Sequence, residues 1–439
     1  MMRPRSSSRW LVTSFLFAVT AHAAEQPLSL GEAVARATRD AGAVQMAGAR
    51  ADQSADRTAQ ARAALLPSLT GSASVGERTF NLRAQGFPLP PTTPDVIGPI
   101  DNVDARIRIV QPVVDVAAWQ RWRAAGVGAQ ASRAELTATT EAAAQAAALA
   151  WLRAARTTAL VEARRQDLAL ALELQRLARE QHAAGVSPAI DTTRASSQAV
   201  ASRAALLVAE NQRDRARLDL ARTLGVDATV RFVPSDTLSE ALAHTRAPLE
   251  LEAALTLAHT QRPELEGERA RLDRARRERS ATALERLPRV DAAADWGLSG
   301  QDTEDWKHTR SLALGVIWPL FDGLRREARL AEQGASVREA TVRTRDLEEQ
   351  VRAEVEAALL DLDSGREQVV VALDRLRLAD EEVAQAAERF RNGVAGNIEV
   401  INAQLSLLRA RDAEIDARFA VAAARVALAR ATGVAREIQ

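Results

Sequence analysis

Two periods dominate the chain. Four stretches of about ten residues alternate apolar with polar positions, the period of a β-strand. After Pro67, Leu69, Gly71, Ala73 and Val75 fall on one side, and Ser68, Thr70, Ser72 and Ser74 on the other. Before Pro112, Val103, Ala105, Ile107 and Ile109 alternate with Asp104, Arg106 and Arg108. After Pro288, Val290, Ala292, Ala294, Trp296 and Leu298 alternate with Asp291 and Asp295; before Pro319, Leu312, Leu314, Val316 and Trp318 share a side. This predicts strands over about 68–80, 101–111, 289–301 and 307–318. Their length suits a membrane barrel, although a soluble, half-buried sheet gives the same alternation.

The other period is helical. From Gly323 to Phe390 there is no proline, and Val351, Val355, Ala358, Leu362, Gly365, Val369, Ala372, Leu376, Ala379, Val383, Ala386 and Phe390 are spaced four and three throughout. A seam so sustained predicts coiled-coil packing on a helix roughly 100 Å long, too long for a compact domain. Leu405, Leu408, Ile415, Phe419, Ala422, Val426 and Ala429 continue the pattern on a returning helix, with Asp412 its one misfit. Val116 to His182 and Ile190 to Leu224 form the same kind of pair with more alanine.

The parts occur twice. Leu30-Gly31-Glu32-Ala33-Val34 recurs as Leu251-Glu252-Ala253-Ala254-Leu255, and Leu66-Pro67 as Leu287-Pro288. Gln111-Pro112-Val113-Val114-Asp115 recurs as Trp318-Pro319-Leu320-Phe321-Asp322, and Ala184-Gly185-Val186 as Asn392-Gly393-Val394. The repeats predicted are 24–236, with long helices over about 115–224, and 237–439, with long helices over about 323–432. Asn81 to Ile100, with Pro88, Pro90, Pro91, Pro94 and Pro99, reads as an exposed loop, and Asp227 to Pro248 as the joining segment.

Arg3, Arg5 and Arg9, the apolar run Trp10 to Val19 and Ala21-His22-Ala23 predict a signal peptide over 1–23. No later window is apolar for 18 residues, so a membrane role would fall to the strands. Lys+Arg and Asp+Glu are 58 each, which makes nucleic acid an unexpected partner, and cysteine is absent. The five histidines lack metal-ligand spacing, and no nucleotide loop or nucleophile elbow occurs. The expectation is a protein without catalytic residues, metal or cofactor. Four strands cannot close a barrel, and unpaired edges cannot face lipid, so a barrel would require several copies.

Three segments carry a family resemblance: Ala63-Ala64-Leu65-Leu66-Pro67-Ser68-Leu69, Trp318-Pro319-Leu320-Phe321-Asp322-Gly323, and Arg389-Phe390-Arg391-Asn392-Gly393-Val394 followed by Ile398-Glu399-Val400-Ile401-Asn402-Ala403-Gln404. In this order, and partly duplicated, they make the mature chain resemble the TolC family of outer-membrane efflux proteins. The resemblance implies a mainly α fold with membrane β-strands: a homotrimer with a twelve-stranded β-barrel in the outer membrane and an α-helical barrel reaching into the periplasm. It implies passive conduction in an efflux or type I secretion system, with a periplasmic adaptor and an inner-membrane pump as partners. A periplasmic adaptor or a structural coiled coil is the alternative reading.

The resemblance also assigns sites. Gly185-Val186 and Gly393-Val394 become the periplasmic tip that meets the adaptor, although glycine there also serves simply as a helix cap. The acidic pair of the periplasmic gate falls on Glu399 and Asn402, one carboxylate being replaced by an amide. The matching positions in the first repeat are Asp191 and Arg194. On the strands, Leu69, Val75, Ile107, Ile109, Val290, Leu314 and Val316 are expected to face lipid, and Ser72, Arg106, Arg108, Asp291 and Asp295 the lumen. Trp296, Trp306 and Trp318 are candidates for an aromatic girdle.

Overall fold

The computed structural model describes residues 25–438 except 82–83, 85–89, 91–93, 228, 239–246 and 303. The signal-peptide segment and half of the proline-rich loop lie outside the described residues.

The first half runs β1 (Glu25–Leu28), α1 (Leu30–Asp40), α2 (Gly42–Ala63), β2 (Ser68–Asn81), β3 (Val96–Val114), α3 (Val116–Ala183) and α4 (Ala189–Thr223). After β4 (Arg231–Pro234) the second half runs α5 (Leu251–Gln261), α6 (Pro263–Leu284), β5 (Arg289–Gly300), β6 (Lys307–Ile317), α7 (Arg325–Arg391) and α8 (Asn397–Ala431). Strand β3 begins earlier than the alternation suggests. Residues 96–100, expected in the loop, continue the ladder, with Ile97 opposite Phe80. The joining segment is also not plain coil, because β4 lies within it. It pairs in parallel with β1 and buries Phe232 completely.

The four long strands form one antiparallel sheet in the order β2-β3-β5-β6, so β2 and β6 are free edges. Its register aligns the alternating faces. Leu69, Ile109, Ala294 and Leu312 share a row, as do Gly71, Ile107, Trp296 and Arg310. The opposite face aligns Thr70, Arg108, Asp295 and Ser311. The apolar face is uncovered within one chain: Val75 is 81% and Leu312 86% exposed. On the polar face Arg106 lies against Asp104 on its own strand and Asp295 on the next, the latter at 3.2 Å. Gly297 sits opposite Arg106, and a Cβ there would come within 2.5 Å of the Arg106 Cβ.

Below the sheet, α3 and α4 form one hairpin and α7 and α8 another. With 68 residues, α3 is about 100 Å long. The helices begin and end on local signals. The Asp115 side chain accepts from the Ala118 amide to cap α3, and Pro263 opens α6, where its missing N–H costs nothing. Helix α7 follows Gly323 and Leu324, both left-handed, which turns the chain sharply from sheet to helix. The seam positions of α7 are buried, with Val351 and Val355 at 0% and Leu362 at 1%. Gly365 lets the hairpin close tightly, because a Cβ there would lie 3.1 Å from Val421. A waist core gathers around Trp151, whose indole N–H donates to the Leu28 carbonyl at 2.8 Å and fixes β1 to α3. Among the described residues, no helix is long and apolar enough to cross a membrane.

Candidate functional site: the two hairpin tips

The far ends of both hairpins reach the same place. Helix α3 ends when Gly185 takes φ +77, and α7 when Gly393 takes φ +69. The closing hydrogen bonds are the same in each. The Val186 amide donates to the Gln181 carbonyl at 2.9 Å and the Val394 amide to the Arg389 carbonyl at 3.0 Å. These are six-to-one bonds of a glycine-ended helix, a turn that ordinary residues would strain.

The waist uses the same device at Gly225-Val226 and Gly433-Val434, with φ +70 and +81. There Val434 is buried at 7% and Val226 packs against the waist core. At the tips, Val186 is 64% and Val394 70% exposed. A cap alone does not need an exposed valine, since its hydrophobic contact ordinarily folds back onto its own helix. The two turns are adjacent: a Cβ on Gly393 would lie 3.7 Å from a methyl of Val186.

Side chains stitch the tips together. Gln181 near the end of α3 donates to the Phe390 carbonyl of α7 at 2.8 Å. Asn397, wholly buried at the start of α8, donates to the Asp191 carbonyl of α4 at 2.6 Å. Beneath them Phe390, Val400, Ile401 and Leu407 of the second hairpin pack with Leu174, Ala178 and Ala195 of the first. On the outer surface Arg176 bonds both Glu173 and Glu180, and its hydrogen bond holds the Glu173 carboxyl below the usual carboxylate range.

The four gate candidates separate. Asp191 is buried, with Arg194 at 3.9 Å. Glu399 occupies the matching place in the second repeat but is about half exposed and meets Arg389 of α7 at 3.4 Å. Asn402 is exposed on the following turn of α8. The structure therefore brings Asp191 to Arg194 and Glu399 to Arg389, and it does not join the two pairs.

Sequence reasoning missed the residues that tie one hairpin to the other. Besides Gln181 and Asn397 these include a charge network higher up. Arg164 of α3, nearly buried, forks onto Asp412 of α8 at 2.7 and 2.8 Å and reaches Asp167 at 3.2 Å. Asp167 in turn takes Arg411 at 2.7 Å. The signal was present: Asp412 is the one residue that breaks the apolar seam of α8, because a carboxylate there meets a buried arginine from the other hairpin.

The outer membrane efflux protein family model matches residues 34–226 and 254–434, one match for each half and together most of the chain. The chain belongs to the outer membrane efflux protein family. The chain is similar to Protein CyaE of Bordetella pertussis, at 29% identity over 189 residues. That match spans 42% of this chain and 40% of the relative. The fold is that of TolC-like channels. The Campylobacter jejuni CmeC outer membrane channel superposes with a TM-score of 0.82 at 16% identity, covering 92% of this chain and 86% of that one. The outer membrane protein VceC of Vibrio cholerae gives 0.79 at 21% identity, covering 92% and 96%. An outer membrane efflux protein needs no catalytic group, and among the described residues no cluster of His, Asp or Glu could hold a metal ion. The tips lie inside the family-matched segments.

Proposed function

We propose that three copies of this chain form a passive duct through the outer membrane, conducting solutes from the periplasm to the exterior. The observation that carries this is the four-stranded sheet. It has an uncovered apolar face and two free edges, and it stands on helices about 100 Å long. In lipid the unpaired edges cost several kcal/mol per backbone group, and other copies of the same sheet remove that cost. Twelve strands close a barrel, with Arg106, Arg108 and Asp295 lining its lumen.

The paired tips meet a periplasmic adaptor through Val186 and Val394, held in place by the turns at Gly185 and Gly393. The adaptor links the duct to an inner-membrane pump, which supplies the energy. Glu399 and Asn402 line the entrance from α8. Asp191 and Arg194 sit behind them, where Asp191 braces the two hairpins against each other. The repeats meet at the waist, where β1 and β4 hold the N-terminal end of the first repeat to the segment that joins it to the second.

An isolated adaptor or structural coiled coil would have no use for the sheet. To test the proposal, the protein is extracted from outer membranes, sized by light scattering in detergent and reconstituted in planar bilayers. A trimer with stepwise ion conductance is expected. A monomer in the soluble periplasmic fraction overturns the proposal.

A further inference from the structure

The two free edges of the sheet are staggered in opposite senses. Following the hydrogen-bonded rows across the sheet, Ser68 at the start of β2 is level with Ala313 of β6, and Lys307 at the start of β6 is level with Ser74. Residues 314–317 of β6 therefore overhang at the helical end, and residues 75–81 of β2 overhang at the other. When β6 of one copy meets β2 of the next, an unshifted register strands both overhangs. A shift of about four to seven residues pairs all of β6, and an odd shift would place apolar faces against polar ones, leaving about four or six. For twelve strands these give tilts of about 35° and 45°, both ordinary for a barrel.

Charge decides between them. Arg310 is an exposed cation on the apolar face, in the row of Trp296 and Ile107, and has no ion-pair partner among the described residues. On the same face of the other edge, Glu77 stands directly opposite Asp101, both exposed. Like charges so placed repel, and neither has a cation partner among the described residues. The shift of about six sets Arg310 opposite Glu77 of the neighbouring copy, beside Asp101. It also sets Leu312 opposite Val75 and Leu314 opposite Ala73. The smaller shift puts Arg310 against Val75 and leaves its charge on the lipid-facing side without a direct partner, which is unfavourable there.

We propose that β6 of each copy pairs with β2 of the next in this register, and that three outward-facing Arg310–Glu77 ion pairs fix it. The proposal rests on the trimeric reading above, and the test separates the two. The chain has no cysteine, so paired substitutions report distances without background. Glu77→Cys with Arg310→Cys, treated in membranes with a short bismaleimide, is expected to give at least about threefold more linked protomers than Glu77→Cys with His308→Cys, the pair that the smaller shift sets opposite. Charge reversal is the second arm. Glu77→Arg and Arg310→Glu should each lower the fraction of SDS-resistant trimer, and the double variant should restore it. Preferential linking of 77 to 308, or a double variant no better than the weaker single one, overturns the register while the trimer stands. A wild-type protein that is monomeric in membranes overturns both.

Discussion

The carboxylate of Glu399 does not stand alone, and that changes what its removal should do. In the proposed trimer, three Glu399 side chains and three Arg389 side chains would ring the entrance, each pair 3.4 Å apart and about half exposed. Such surface pairs contribute at most about 1 kcal/mol to stability, so either residue can be neutralised without unfolding the tip. The wild-type ring is balanced. Glu399→Gln leaves three positive charges, and Arg389→Gln leaves three negative ones. At a ring radius of about 8 Å, three unit charges acting on an ion at the axis amount to about 1.5 kcal/mol in water. Screening at 0.15 M salt cuts this to about 0.6 kcal/mol, a factor of about 2.5 in local ion concentration, and at 0.01 M the factor rises to about seven. In planar bilayers under a salt gradient, the reversal potential of Glu399→Gln should shift toward anions by these factors, with weaker block by multivalent cations. Arg389→Gln should shift it toward cations, and the double variant should return close to wild type. If both single variants shift the same way, or neither shifts at low salt, Glu399 and Arg389 do not line the constriction.

Four further outcomes follow from the packing. Removing Arg164 and Asp412 singly and together should reveal a coupling of about 1.5–3 kcal/mol, since Arg164 is nearly buried and its Nη2 donates to both Asp412 oxygens; additive effects in chemical unfolding would contradict it. Glu141, wholly buried against the Arg436 amide, has its carboxyl pushed up by desolvation. A raised folded value means that its stabilising contribution is complete below the ordinary carboxylate range, near about pH 4, and is lost as pH rises through the raised value; Glu141→Gln should therefore melt higher than wild type at pH 7 and converge with it in acid, whereas a pH-independent offset would refute the linkage. Val394→Asp should leave trimers intact while abolishing efflux, and full efflux would reduce Gly393-Val394 to a helix cap. Ile107→Arg, in the apolar row with Trp296, should cost roughly 2–4 kcal/mol on folding into lipid vesicles; an unchanged unfolding midpoint would mean the faces are reversed.

The strands and their faces were legible because a period of two needs only a local pattern, and the ladder then aligned like with like. The seam of α7 was legible for the same reason, since Val351 to Phe390 repeat without interruption. The waist was not. Strands β1 and β4 have four residues each and lie about 200 residues apart, so neither carries enough alternation to announce a pairing partner. The environments of the gate candidates were equally hidden. Asp191 and Glu399 are equivalent in the repeat, yet one is covered by the other hairpin and the other is not, and which helix lies alongside is a long-range fact. Even so, Asp412 showed that a seam residue of the wrong polarity points to a partner on another element.

Gly297 has a bearing on how closely two strands of the sheet can lie. Arg106 is long enough to stand well clear of the sheet, yet it is drawn sideways across the polar face by carboxylates on its own strand and the next. Beside it, a Cβ at position 297 would press on the Ala105 carbonyl and the Arg106 Cβ, so Gly297 is what lets β3 and β5 approach at this level. The spacing of the two strands at this level is thus set by an empty place: any residue other than glycine would push them apart beside the arginine.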